Sequence, residues 1–370
     1  MSRRLLFLPI FFLLTISGHA QKQPLKVAVI GLSHTHVHWI FGAEPNGDID
    51  IVGVVEANKE LAKRYADQYQ FPMSKVYDTM EELMANETPE AVTAFGSIYA
   101  HLEIVEFFAP RGIDVMVEKP LAVSVEHAEK MAALARKHNI HLLTNYETTW
   151  YPSNHVAYDQ AIRLGAVGDI RKIIVRDGHK GPKKIGVDPE FLEWLTDPEL
   201  NGGGSMTDFG CYGANLATWF MAGKRPIAVT ALNMQLQPEN NPKVEDETII
   251  LLEYEQAVVF VQASWNWPIG RKDMEVYGLN GVLLAESRDE LSMRISEGYD
   301  GYQTTEFDLK ALEAPYHDPF AYLAAVVRGE IKPGPNELSS LENNLTVVEI
   351  LETAKKSAEQ GRRIEFPKKQ

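Results

Sequence analysis

The sequence predicts an α/β protein: a doubly wound parallel sheet, followed by an α+β domain whose strands are mostly antiparallel. Three observations carry this. Apolar strand-like runs alternate with helical patterns up to about residue 146, the rhythm of β-α-β units. Beyond it, strand-like runs follow one another across short turns. The length, 370 residues, is too great for one ordinary core.

The first-half strand candidates are residues 25–31, 49–55, 91–95, 113–117 and 140–144, each a short apolar run rich in Val and Ile. Between them, 59–69, 79–85, 102–109 and 125–138 have helical periodicity. In the second half, 155–164 reads as a helix. Strand-like runs follow at 170–176, 227–235, 248–254, 257–265 and 273–278, and helices at 319–328 and 341–359 close the chain. The expected division is a leader at 1–20, a nucleotide-binding domain at 21–147 and a second domain at 148–370.

Composition is that of a globular protein, 45% hydrophobic and 24% charged. The net charge of −15 and the lack of a basic stripe argue against a nucleic-acid partner. The first twenty residues combine a basic start at Arg3 and Arg4, an apolar run from Leu5 to Ile16, and small residues ending at Ala20. That is the layout of an export signal cut before Gln21, by the general secretory or twin-arginine route, with no stable membrane insertion. Cys211 is the only cysteine, so no internal disulfide is expected.

Two places carry chemistry in the first half. Glu118, Lys119 and Pro120 close the fourth strand, putting a carboxylate and an ammonium at the carboxyl edge, where such sheets bind ligands. The first strand ends at Gly31 and enters Leu32, Ser33, His34, Thr35 and His36, the turn that presents backbone N–H groups to a pyrophosphate. Of the glycines in G-x-G-x-x-G, only Gly31 is present; Ser33 and His36 stand at the other two places. Glu56, ending the second strand, suits ribose hydroxyls and repels a 2′-phosphate, favouring NAD over NADP. A His-x-His after a first strand also opens many metal hydrolases. The other histidines, such as His127 and His155, fall in helices or loops with no His-Asp set at strand ends, so no metal is expected.

These motifs resemble the Gfo/Idh/MocA oxidoreductase family, the glucose-fructose oxidoreductase-like dehydrogenases. Glu118-Lys119-Pro120 matches the family's E-K-P. Residues 202–215, from Gly202 to Asn215, match G-G-G-x-x-x-D-x-G-x-H-x-x-D. The resemblance covers residues 25–368. It implies a Rossmann domain, a large open second sheet, a nicotinamide cofactor, a sugar or glycoside substrate and a homodimer or homotetramer. It also implies that Lys119 is catalytic, that Asp208 orients substrate, and that His101 lies near the cofactor with Gly31, Ser33, His34, Glu56 and Glu118. The family's usual catalytic histidine is Tyr212 here, and its following aspartate is Asn215. Tyrosine at this place occurs in the glucose-fructose oxidoreductase branch, whose members are exported with a tightly held cofactor.

Within this frame Tyr212 is the expected acid/base. Its ordinary pKa of about 10 should fall beside the Lys119 ammonium. The glycines at 202–204 should let backbone approach a ligand. Tyr146, Trp150 and Tyr151 should lie near the nicotinamide end, with His179 and Asn215 also toward substrate. Trp265 and Trp267, alternating along a strand, are expected on the open sheet face at a subunit contact. An oxidoreductase that recycles retained NAD leads; an NAD-retaining glycosidase or lyase, or a non-catalytic sugar binder, is the alternative.

Overall fold

The computed structural model describes residues 23–367; the expected leader lies outside the described residues. Six parallel strands form the first sheet: β1 (Leu25–Ile30), β2 (Ile49–Val55), β3 (Val76–Tyr77), β4 (Ala91–Ala94), β5 (Asp114–Glu118) and β6 (Leu142–Asn145). Their order is β3-β2-β1-β4-β5-β6, so the chain reverses direction across the sheet between β1 and β4. That switch point is where an open α/β sheet leaves a crevice at its carboxyl edge. Helices α1 (Val37–Ala43), α2 (Lys59–Tyr69), α3 (Met80–Asn86), α4 (His101–Phe108) and α5 (Val125–His138) make the crossovers. Polar caps set where they begin: Asn58 accepts from the N–H groups of Glu60 and Leu61, and Ser124 from that of His127.

After α6 (Pro152–Tyr158) and a π-helical turn, β7 (Ile170–Gly178) opens the second sheet. Helices α7 (Pro182–Ile185), α8 (Pro189–Leu195) and α9 (Cys211–Phe220) precede β8 (Ala228–Met234), β9 (Glu247–Glu253), β10 (Val258–Ser264), β11 (Arg271–Gly278), β12 (Gly281–Ser287), β13 (Glu290–Glu297) and β14 (Gly301–Glu306). Helices α10 (Pro319–Val327) and α11 (Leu341–Gln360) and the short β15 (Ile364–Glu365) end the chain. The nine strands order as β14-β13-β12-β11-β7-β10-β9-β8-β15, and only the β10–β7 pair is parallel.

Alternation divides this sheet into two faces. Ile173 and Val175 of β7, Ile250 and Leu252 of β9 and Val259 and Val261 of β10 face a core shared with α9 and α11. On the other face Leu232 pairs with Ile249 across β8 and β9, 53% and 39% exposed. Trp265 was expected on that outer face and is not there. It follows β10, is fully buried, and turns inward toward Asp208. Trp267 lies beside Arg271, its ring 4.7 Å from the guanidinium. α10 packs back on the first sheet: Phe320, Leu323 and Val326 share a core with Val27, Ile51 and Leu61.

Candidate functional site

Lys119 follows β5, and Asp208 sits in the π-helical turn Met206–Gly210 that leads into α9. The two halves of the chain meet there. Lys119 Nζ donates to Asp208 Oδ1 at 2.5 Å and to its carbonyl oxygen at 2.9 Å. Trp265 Nε1 donates to Asp208 Oδ2 at 2.9 Å. Both charges are buried, each 5% exposed. Burial alone would push the Asp208 carboxyl up; the Lys119 ammonium outweighs it, with His179 and the Lys119 and Trp265 hydrogen bonds, and holds it below its ordinary value. Burial pulls Lys119 down in turn, but Asp208 outweighs this and raises it, so the lysine is a fixed ammonium at neutral pH.

Tyr212, the second residue of α9, is 1% exposed, with the Lys119 ammonium 5.2 Å from its ring centre and that of Lys272 at 4.8 Å. The expected lowering of its pKa is reversed. Burial pushes the phenol well above 10, and the carboxylate of Glu147 adds to the push. Two lysines across the ring do not offset the loss of water. Tyr212 is a neutral donor here.

The residues around this pair include several that the sequence did not announce. Lys272 of β11 forms an ion pair with Glu147, which also accepts from the Tyr151 hydroxyl. Burial would raise Glu147, but Lys272 and Tyr151 bring its carboxyl down to about 2. Asp177 of β7 lies opposite Lys272 in the β7–β11 register, 1% exposed, with no partner for either carboxylate oxygen among the described residues. Its pKa is driven well up by burial, against the pull of Lys272. His179 presents its ring edge to Phe209, 5.0 Å away, and burial lowers its pKa. Tyr146 meets Tyr212 edge-on at 5.4 Å. The only local hint of Lys272 and Asp177 was a charged residue on the inward parity of a strand. That parity depends on a pairing register that cannot be read along the chain.

Other expected site residues play supporting parts. Asn215 does not face the chamber: its amide donates to the Leu338 carbonyl at 2.8 Å, tying α9 to the segment before α11. Trp150 packs on Tyr322, and its Nε1 donates to Asn145 Oδ1 at 2.9 Å. His101 is buried, with Nδ1 3.1 Å from the Leu121 carbonyl and Nε2 without a partner among the described residues. The glycine run admits protein and not ligand. A Cβ on Gly204 would meet the Glu245 carbonyl at 1.9 Å, and the Glu245 carboxylate accepts from the N–H groups of Gly204 and Met206.

The nucleotide side has a cavity of about 560 Å³ at the ends of β1, β2 and β4; another, of about 760 Å³, lies on the outer face of the second sheet beside Trp267 and Arg271. Gly31, with φ +80°, passes so close to Gly96 that a Cβ would meet its nitrogen at 3.0 Å. The cavity of 560 Å³ touches Gly31 and Gly96, which leaves bare backbone where the adenosine half of a dinucleotide would lie. Glu56 accepts from the N–H groups of Leu32 at 3.0 Å and Asn58 at 2.9 Å. In the turn, His34 N–H bonds the Phe95 carbonyl, and His36 N–H donates to His34 Nδ1 at 3.0 Å. The N–H groups of Ser33 and Thr35 have no partner among the described residues and remain for phosphate oxygens. The donor set therefore fits a dinucleotide with a shortened phosphate cradle.

His34, His36 and Glu118 place three donor atoms within 4.8 Å of one another, a spacing that suits a cation. The Nδ1 atoms of both histidines and one oxygen of Glu118 are already committed. His34 Nδ1 accepts a hydrogen bond, His36 Nδ1 lies 2.8 Å from Glu118 Oε2, and burial, with the Lys119 ammonium adding to it, lowers the pKa of both histidines. The cluster is a hydrogen-bonded one. Over it lies α8: Trp194 Nε1 donates to Ser33 Oγ at 3.0 Å, Phe191 packs on His34, and Arg64 of α2 bridges Asp188 and Glu190.

Residues 25–146 match the model of an oxidoreductase family with an NAD-binding Rossmann fold, and residues 155–284 match the C-terminal domain of that same GFO/IDH/MocA family. The chain belongs to the Gfo/Idh/MocA oxidoreductase family. Among curated members it is 29% identical to trans-1,2-dihydrobenzene-1,2-diol dehydrogenase of Xenopus tropicalis, over 50% of this chain and 53% of that one. The chain thus spans about half the length of that relative. It is 24% identical to D-xylose 1-dehydrogenase [NADP(+)] of Haloarcula marismortui, over 90% and 93% of the two chains. In fold, this family member is similar to an aldose-aldose oxidoreductase from Caulobacter crescentus, at a TM-score of 0.77 and 22% identity over 92% and 99% of the chains. An inositol dehydrogenase homologue from Azotobacter vinelandii, solved with NAD+, gives a TM-score of 0.78 at 19% identity over 93% and 98%.

Proposed function

We propose that this protein is a nicotinamide-dependent oxidoreductase that acts on a sugar or polyol hydroxyl and keeps NAD bound between turnovers. The observation that carries this reading is the buried Lys119–Asp208 pair at the edge of β5, beside a crevice that fits a dinucleotide. NAD, when bound, supplies the hydride acceptor. Lys119 is a fixed ammonium that would hold the reacting oxygen, Asp208 fixes Lys119, and Tyr212 donates from its neutral hydroxyl. Lys272, Glu147 and His179 offer further donors and acceptors to a polyhydroxylated ligand. Curated relatives named for D-xylose and inositol support the substrate class.

NAD is favoured over NADP because Asp78, Glu81, Glu103 and Glu106 line the adenosine cavity with no basic side chain among its lining residues. Nearby Lys59 is paired with Asp78. A 2′-phosphate would meet like charge. Retention is supported by α8, whose Trp194 and Phe191 cover Ser33 and His34. Residues 1–20 are proposed to direct export, which N-terminal sequencing from the native host tests: a mature chain starting at Gln21 is expected, and an intact Met1 overturns it. Assembly is proposed through the outer sheet face around Leu232 and Ile249.

The deciding experiment is to denature protein purified without added cofactor and identify the released ligand by absorbance and mass. NAD in near-equimolar amount is expected. A cofactor-free protein that binds neither NAD nor NADP in calorimetry overturns the reading.

A further inference from the structure

This chain departs from its family's signatures at two places that the sequence leaves unconnected. The third glycine of the phosphate turn is His36, and the histidine of the second signature is Tyr212. The structure sets both departures beside the same two ammoniums, Lys119 and Lys272. We propose that His36, oriented by Glu118, is the proton acceptor of the reaction, filling from the nucleotide turn the role that the second signature has lost. This rests on the oxidoreductase reading above.

The geometry is that of an oriented imidazole. His36 Nδ1 lies 2.8 Å from Glu118 Oε2. The orientation of Glu118 is fixed by a chain in which every polarity is determined. Trp150 Nε1 only donates, so Asn145 Oδ1 accepts it, and the Asn145 amide nitrogen therefore donates to Glu118 Oε1 at 2.7 Å. That leaves Oε2 for His36 and favours the tautomer with hydrogen on Nδ1. His36 is clamped further by Trp39, stacked at 3.8 Å. Its Nε2 has no partner among the described residues, and its side chain is 16% exposed while Glu118 is 1% exposed, so the imidazole is the accessible end of the dyad.

His36 also lies among the charged groups of the site. The charged groups that set its titration are Lys119, Lys272, Glu147 and Asp208, all groups of the chamber. Glu118 and His34 complete its surroundings, and the cavity at the adenosine end is not lined by it. Burial and the two ammoniums keep the imidazole neutral and able to accept. Neither Lys119, a fixed ammonium, nor Tyr212, a phenol pushed upward, can take a proton at neutral pH. NAD+, when bound, would accept the substrate's C–H hydrogen as hydride. The hydroxyl proton passes to His36 Nε2, and a carbonyl forms. Glu118 stabilises the resulting imidazolium through Nδ1–H.

The test uses the mature holoenzyme with D-xylose and methyl glucosides as probes, and the variants His36→Gln and Glu118→Gln. His36→Gln keeps size and polarity but accepts no proton of comparable basicity; kcat should fall by about 10²–10⁴-fold with bound NAD unchanged. Glu118→Gln should lower kcat less and shift the acidic limb of its pH profile. That limb should lie below the ordinary imidazole value of 6.5 in the unaltered enzyme. Independently of turnover, proton NMR should show a low-field Nδ1–H resonance that is lost in both variants. Wild-type-like kcat in His36→Gln overturns the proposal. So does loss of NAD in step with activity, or a stoichiometric metal ion that chelators remove along with turnover. Protein that holds no NAD and oxidises no sugar sinks the functional reading instead, while the NMR resonance still reports on the dyad.

Discussion

Replacing Asp208 by Asn leaves the Lys119 ammonium buried without its counter-ion. Lys119 is 5% exposed, so its Nζ cannot reach water without displacing the turn that carries Asp208. The asparagine amide also cannot accept from both Lys119 and Trp265, which now bond opposite carboxylate oxygens. Breaking a buried pair from one side costs about 3–5 kcal/mol. In a protein of this size that lowers the melting temperature by on the order of 10 °C. The sign with pH is specific. In the unaltered protein, the depressed Asp208 pKa stabilises the fold above 3.8 and this is lost as pH falls further; the raised Lys119 pKa stabilises below 10.5 and this is lost as pH rises beyond it. In Asp208→Asn, burial of Lys119 is less opposed, so its folded pKa drops, and raising the pH toward 10 should recover stability. The double variant Lys119→Met with Asp208→Asn removes both charges and should recover most of the loss. Urea unfolding of the four proteins across pH gives the coupling. Additive single losses, or a loss under about 1 kcal/mol in Asp208→Asn, refute the argument that these two charges hold each other.

Asp177→Asn should stabilise the protein at neutral pH. A carboxyl whose folded pKa is raised destabilises at pH above its ordinary 3.8, so the gain should vanish in acid; urea midpoints at two pH values measure it. Gly31→Ala places a Cβ 3.0 Å from the Gly96 nitrogen at a positive φ, so it should lower both the melting temperature and NAD affinity, read by calorimetry.

The first sheet was legible because each of its longer strands is buried on both faces, which writes a continuous apolar run. Residues 49–55 and the helices at 59–69 and 125–138 have their predicted limits. The strands from 281 to 306 were not: β14 is exposed throughout and has no apolar parity to read. α9 was hidden because its fully buried face carries no polar period and its sequence was read as a signature. Lys119 and Asp208 came from motif and strand-end position, and the structure brings them together. The proton economy around them was not legible. It depends on burial and on cross-chain neighbours such as Glu147 and Lys272, which are 125 residues apart. The contact of Glu118 with His36, 82 residues apart, was hidden for the same reason.

α10 returns from the far end of the chain to the core of the first sheet. The strands β7 to β14 are therefore an insertion between β6 and α10: the chain leaves the nucleotide-binding unit after β6, rejoins its core at Phe320, and then returns to the edge of the second sheet with β15. Cutting the chain near residue 147 would strip that core of Phe320, Leu323 and Val326, so an isolated N-terminal fragment exposes apolar surface that the intact protein buries. The same layout loosens another constraint. Both ends of the insert are anchored on the nucleotide-binding unit, so the inserted sheet can lengthen, shorten or exchange its outer strands while the adenosine cavity keeps its walls. The walls of the adenosine cavity and the strands free to vary thus fall on separate stretches of one polypeptide.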